Sequence, residues 1–401
     1  MSRRSLLLGA AVLVAGITPA LAQDVKLGAL LEITGPIASA VPPIQKAAEL
    51  AVQNVNDQGG LLGGRKAALT VVDGQGTPQG AVDAASRLVN VEQAPIIVGP
   101  LMSGSLIAAA NSVTAQAGVT LISPSATSPR ITELQDNDTV YRTAPSDAYQ
   151  GRVMADVAKK RGLDSVAVMF INNDYGVGLA TAFRNAFTAA GGKVTYFEGH
   201  EAKKTSFRSE LAAAAQAKPQ GLVMVALPDD TGVPVLKQAL EGGFFDQFVL
   251  AEGMRIPRTI TEIGAANLTK ASFTAPIAPA GPATEAFQKL FRAAGQNPDA
   301  LFAASMYDST FIAALAVEAA KSTDRAAVKA AMRKVTMPGG EQILPGEWQK
   351  ARDALAAGKT ITYVGATGPK PFDAAGDTPG TFGEFQIKGT EFALVRPVQL
   401  N

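Results

Sequence analysis

From residue 25 onward the chain keeps one rhythm: a short, unbroken apolar run, then a longer segment whose apolar positions recur three and four apart. The runs are VKLGALL (25–31), AALTVVD (67–73), PIIVG (95–99), VTLIS (119–123), SVAVMFI (165–171), KVTYFEG (193–199), GLVMVAL (221–227) and FVLAEG (248–253). Their length and unbroken apolarity predict strands buried on both faces. Segments such as IQKAAELAVQNVNDQGG carry the helical period and stop at Gly59. Strand and helix in alternation dictate an α/β fold of parallel sheets covered by helices.

The stretch 128–151, rich in Pro, Asp and Asn, interrupts the rhythm, and SFTAPIAPAGPA (272–283) interrupts it again. Two sheets are therefore expected rather than one closed barrel, with the chain crossing between them near Pro145 and after the second stretch. Helices follow at 282–295, 298–321 and 324–335. The tail reads as hairpin-like strands with turns at Gly376-Asp377, Pro379-Gly380 and Lys388-Gly389. A chain of 401 residues has room for two such units, each with its own core.

The N-terminus carries Arg3 and Arg4, an apolar stretch from Leu6 to Ile17 and the small-residue pattern Ala20-Leu21-Ala22. This is the pattern of a secretory signal peptide spanning 1–22, which predicts a soluble exported protein starting near Gln23. The paired arginines resemble a twin-arginine signal as well as a general one, and both export routes stay open. Cysteine is absent, which excludes a disulfide and a lipid-modified N-terminal Cys. Lys plus Arg number 36 against 35 Asp plus Glu, so no electrostatic footprint for nucleic acid or an anionic membrane exists.

In open α/β sheets ligands sit beyond the carboxyl ends of the strands, so the residues after each run are the place to seek a site. PIIVG is followed by Pro100-Leu101-Met102-Ser103-Gly104-Ser105 and then a helical segment, placing free amides and the Ser103 hydroxyl at the strand edge. VTLIS ends in Pro124-Ser125-Ala126-Thr127-Ser128-Pro129. SVAVMFI ends in Asn172-Asn173-Asp174-Tyr175-Gly176, GLVMVAL in Pro228-Asp229-Asp230-Thr231, and FVLA in Glu252-Gly253. Amides and hydroxyls on one side and acids with a tyrosine on the other would suit a zwitterion, with its carboxylate on the amides and its ammonium on Glu252.

Read singly, each feature has a plainer role. Ser103–Ser105 and Thr127-Ser128 make good helix caps, and Asp229 and Asp230 read most simply as caps of a helix from Thr231 to Glu241. Tyr175 could only pack, and Glu252-Gly253 could be a solvated turn. His200, the sole histidine, reads as solvated surface, Trp348 as packing, and Asp373–Asp377 as a tight turn rather than a calcium loop. One histidine, no cysteine and no HExxH remove the common metal, thiol and Ser-His-acid constellations, leaving an enzyme only carboxylates such as Asp229 with Glu252. No enzyme, metal or cofactor is expected.

GPIASAVPPIQKAAELAVQNVNDQGG, the IIVGPLMSGS loop, ISPSATSPRIT, NNDYGVGL and YVGATGPKPFDAAGDTPGTF, in this order, resemble the type I periplasmic substrate-binding proteins of ABC importers, in the leucine/isoleucine/valine group. The resemblance covers nearly all of the chain after the signal. It implies two Rossmann-like lobes, 24–144 plus 277–381 and 145–276 plus 382–401, joined by a three-segment hinge and closing like a flytrap. It implies a monomer that delivers an amino acid to an inner-membrane permease and ATPase. Ser103, with Gly104, would hold the ligand carboxylate. The loop Ser125-Ala126-Thr127 would give a backbone carbonyl, at Ser125, to the ammonium and the Thr127 hydroxyl to both polar ends, Tyr175 would cover the ligand, and Glu252, with Gly253, would take the ammonium. Two departures stand out: Met102 occupies a position of the family's lobe-stapling disulfide, and Pro228-Asp229-Asp230 replaces tyrosines of leucine binders. An acid such as Asp229 there would favour a polar ligand, and urea, short amides and aromatic acids are alternatives, as is a receptor-docking sensor.

Overall fold

A computed structural model describes residues 23–400, so the signal peptide expected at 1–22 lies outside the described residues. The first sheet contains β1 (Val25–Leu31), β2 (Ala67–Asp73), β3 (Ile96–Val98), β4 (Thr120–Ser123) and β5 (Val140–Arg142) in the order β2-β1-β3-β4-β5, all parallel. The second is built from β6 (Ser165–Ile171), β7 (Lys193–His200), β8 (Gly221–Val225), β9 (Phe248–Leu250) and β10 (Ala271–Ile277). A small sheet of β11 (Glu341–Ile343), β12 (Ile361–Gly365) and β13 (Gly368–Pro369) follows. The hairpin β14 (Thr381–Lys388) and β15 (Glu391–Val398) then completes the second sheet in the order β15-β14-β10-β9-β8-β6-β7. The chain thus passes between the two large sheets three times: after β5, after β10 and before β14.

Each large sheet has a hydrophobic cluster on both faces, as its unbroken apolar strands require. The helix Ala303–Ala320 is buried on almost every side, from Met306 to Val317, and Phe311 packs against Tyr307, Tyr363 and Trp348. A helix with so many buried faces shows no amphipathic stripe, so its start was misplaced in the sequence. It begins at Ala303 rather than 298, because Phe302 adopts a left-handed backbone with φ +61°. Trp348 is fully buried and donates from Nε1 to the Gly60 carbonyl at 3.0 Å.

Two readings of the tail and of β7 need correction. Of the three expected turns only Lys388-Gly389, with Gly389 at φ +65°, joins hairpin strands; Asp373–Asp377 is the expected tight turn, Gly376 N donating to the Asp373 carbonyl at 3.0 Å, and it closes on the buried Arg142, whose Nε and Nη2 donate to Asp377 at 2.5 and 2.8 Å. His200 is buried, not solvated. Its Nε2 lies 2.8 Å from the Thr231 hydroxyl and its ring meets Phe207 edge-on. Burial holds its pKa down at about 4.

Candidate functional site

The carboxyl ends of β3 and β4 face those of β6, β8 and β9 across a cavity of about 230 Å³. Ser103, Gly104, Ser105 and Ser125 line it from one side, and Tyr175, Glu252 and Gly253 from the other. The turn entering the first wall is tight: at Gly99, with φ +91°, a Cβ would stand 2.0 Å from the Leu30 carbonyl oxygen. Past it, Ser103 opens the helical run 103–117, whose first amides have no acceptor within the helix. Ser103 Oγ accepts from Ser128 N at 3.1 Å, and Ser125 Oγ donates to the Leu101 carbonyl at 2.9 Å, so the two loops brace each other.

Beneath that wall lies a residue no sequence signal marked. Glu32, directly after β1, is fully buried and accepts from Leu101 N at 2.8 Å and Met102 N at 3.4 Å. Burial pushes its carboxyl up to about 7, against the amides and Ser105 that pull it down. Arg142 performs the matching task for the second loop, donating from Nη1 to the Ser128 carbonyl at 2.9 Å.

The opposite wall is acidic. Glu252 is buried, and its Oε2 accepts from Gln150 Nε2, which also reaches the Thr274 hydroxyl at 3.2 Å. Asp147 is buried behind it. Burial and the neighbouring Glu252 raise the Asp147 pKa far above the carboxylate range, and burial raises that of Glu252 as well. The Tyr175 hydroxyl faces Glu252 without closing a well-formed hydrogen bond. Thr127 Oγ1, both Asp147 oxygens, Gln150 Oε1 and Tyr175 Oη are all buried without a partner, an unusual concentration for one corner of a protein.

Apart from Asn173, Asp174 and Asp230, the remaining lining is mostly apolar, with Ile37, Ile44, Met102, Leu227, Ile256 and Phe302 among others. Apart from Met102, none of these was singled out in the sequence, since an apolar residue that lines a cleft has no mark distinguishing it from one that fills a core. Asn173, which caps the Asp174–Ala189 helix through Gly176 N at 2.9 Å, also reaches the cavity.

Three expected site residues are not on the cavity wall. Ala126 and Thr127 are buried one layer behind Ser125, with the Thr127 hydroxyl turned toward Asp147. Asp229 is directed away from the cavity: the wide π-helical turn Pro228–Gly232 carries it to Arg258, with which it forms an ion pair, and its Oδ2 accepts from Ser39 N at 2.6 Å. It caps no helix through its side chain either. Its neighbour Asp230 lines the cavity instead and accepts from Lys203 N.

The Ser39 to Asp229 bond joins the two sides of the cleft. So do Ser128 Oγ donating to the Asp174 carbonyl at 2.9 Å and the Arg130–Asp174 ion pair. Where Gly104 approaches Asp174, a Cβ would stand 3.1 Å from a carboxylate oxygen. The cleft is described in a closed form, and among the described residues no group of His, Cys, Asp and Glu could hold a metal ion.

Residues 24–364 match the periplasmic binding protein family. A protein of Brucella suis biovar 1 named Leu/Ile/Val-binding protein homolog 1 is 30% identical over 346 residues, covering 82% of this chain and 92% of that protein. Among solved structures, the branched-chain amino acid transporter substrate-binding protein LivJ of Streptococcus pneumoniae, in complex with isoleucine, superposes with a TM-score of 0.78. It is 24% identical, over 94% of this chain and 99% of that one. A solute-binding protein of an R. palustris ABC transporter in complex with benzoate reaches 0.73 at 20% identity, over 93% and 96%. With its two parallel-dominated sheets, three crossings and ligand-sized gap, the chain belongs to the periplasmic binding protein family.

Proposed function

We propose that this protein is the exported solute-binding component of an ABC importer and that its ligand is an amino acid with an apolar side chain, of branched-chain type. One observation carries the ligand class. The cavity wall holds Glu252, Asp174 and Asp230 but, among the described residues, no Lys or Arg. A buried carboxylate needs a cationic or hydrogen-bonding partner, and the ammonium of an amino acid supplies one to Glu252. The ligand carboxylate then meets the amides of the helix beginning at Ser103 and the Ser103 hydroxyl, and its side chain meets Ile37, Ile44 and Phe302. The names of relatives such as the Brucella suis protein support this ligand.

Lobes of 24–144 plus 277–381 and 145–276 plus 382–401 would swing about the three crossings. A ligand touching both walls favours the closed state by its differential contacts. Signal removal near Ala22, a monomeric state and delivery to a membrane permease with its ATPase complete the reading.

The benzoate complex favours a second reading, an aromatic acid without an amine. Such a ligand would bring a second negative charge to a wall that is already acidic. Calorimetric titration separates the two with L-leucine and 4-methylpentanoate, which is leucine without its amino group. Leucine binding at least a hundredfold tighter supports the amino-acid reading; equal or tighter binding of 4-methylpentanoate overturns it.

A further inference from the structure

A second cavity, of about 330 Å³, lies at the three chain crossings: Pro145, Ile277 and Pro379 all line it. Its body is apolar, with Phe287 on one side and Phe385, Phe392 and Leu394 of the β14–β15 hairpin on the other. Two cations stand in this wall. Lys370 is 1% exposed, and its Nζ donates only to the Thr143 and Thr367 carbonyls, at 3.3 and 3.1 Å, leaving one of its three donors unspent. Arg255 lies over the Phe385 ring, 4.6 Å from its centroid; its Nη2 donates weakly to the Asp299 carbonyl at 3.4 Å and its buried Nε has no partner.

Neither cation has a carboxylate in contact. Asp308, near Lys370, spends its oxygens on the Tyr363 and Thr367 hydroxyls and on the Ala366 and Thr367 amides. Asp299, which also lines the cavity, bonds Arg255 through its carbonyl, and its carboxylate acts on Arg255 from outside ion-pair distance. Burial draws Lys370 down to about 8 and Arg255 to about 10, against the weaker opposing pull of Asp308 and Asp299. Two cations without an ion-paired carboxylate, beside an aromatic slot of ligand size, make a wall suited to a small anion.

We propose that this hinge cavity is a second ligand site, for a small organic carboxylate with an apolar or aromatic body. The carboxylate lies between Arg255 and Lys370, and occupancy is coupled to closure of the main cleft. The coupling has a physical route. Leu301 and Phe302 line both cavities, and Phe302 is held in a left-handed backbone that a bulky side chain rarely adopts. Because the walls come from both sides of the hinge, a guest that fits them in the closed form disfavours opening. Only the coupling rests on the amino-acid reading of the cleft; binding at the hinge does not.

The test uses 4-bromobenzoate, whose bromine can be located by anomalous diffraction in crystals of the mature protein, together with calorimetry. The proposal expects a bromine peak in the hinge cavity and at least tenfold weaker binding by Arg255→Gln. Lys370→Met should weaken it too, but Arg255→Gln decides, since loss of a buried lysine can unfold the chain. At least tenfold weaker binding of the uncharged 4-bromobenzamide is also expected. L-leucine and 4-bromobenzoate should raise each other's affinity by one common factor. Bromine found only in the main cleft or nowhere, unchanged binding by Arg255→Gln, equal binding of the benzamide, or leucine affinity indifferent to 4-bromobenzoate would each overturn it. Failure of leucine to bind at all, with the hinge peak present and lost in Arg255→Gln, would count against the cleft reading alone.

Discussion

Glu252→Gln should move binding and stability in opposite directions. Without ligand, Glu252 and Asp147 are buried carboxyls that penalise each other; the donor bonded to Glu252, Gln150, is neutral, and Arg142 pulls Asp147 down only against the larger effect of burial. A glutamine keeps the shape, lets Gln150 Nε2 donate to its carbonyl oxygen, and removes one of the two titrating groups. Relief of about 1 kcal/mol would raise the melting temperature by roughly 2–4 °C for lobes of this size. Binding pays the reverse. Losing the charged member of a buried pair costs about 2–5 kcal/mol, which is roughly a 30- to 5,000-fold loss of affinity. Thermal unfolding of ligand-free protein and leucine titration of the same samples give both numbers. A variant that is as stable as wild type or less, and that binds leucine within about threefold of it, would refute the reasoning.

Other consequences follow from the buried groups. The folded protein keeps His200 neutral down to about pH 4 while the unfolded chain protonates it near 6.5, so stability is full above 6.5 and falls by about 3 kcal/mol toward pH 4. Glu32, raised to about 7 from 4.5, acts oppositely: its contribution is full below pH 4.5 and is lost, by about 3 kcal/mol, as pH rises through 7. Denaturant unfolding at stepped pH should therefore show the wild-type minus His200→Gln difference rising with pH and the wild-type minus Glu32→Gln difference falling. Glu32→Ala strands the Leu101 amide and should cost about 1–3 kcal/mol of stability by the same measurement. Asp229→Asn, which touches the latch and not the cavity, should weaken leucine binding by no more than about 1 kcal/mol in calorimetry.

The fold was legible because burial on both sheet faces leaves unbroken apolar runs, a pattern that survives without neighbours: SVAVMFI is β6 to the residue. Glu252, Tyr175, Ser103 and Ser125 were legible because the strand ends of an open sheet must converge on one edge. What escaped depended on backbone turns and distant partners. The turn at 228–232 exchanges the roles of Asp229 and Asp230, and Arg258, which holds Asp229, is far along the chain. His200 looked solvated among charged neighbours, yet Phe207 and Thr231 fold over it. Glu32 orients its site loop through a bond spanning 69 residues, and Arg142, which holds the Ser128 carbonyl, is itself fixed by Asp377, 235 residues away; no local pattern announces either. Phe302 owes its place to a left-handed backbone that its sequence gives no reason to expect.

The polarity of the cleft is the claim on which the rest depends, and a crystal structure of the protein grown with L-leucine tests it most directly. That polarity places the ammonium within hydrogen-bond distance of the Glu252 carboxylate and the ligand carboxylate on the amides and hydroxyl at Ser103. A ligand with its carboxylate turned toward Glu252, or lodged outside the gap between Ser103 and Tyr175, would contradict it.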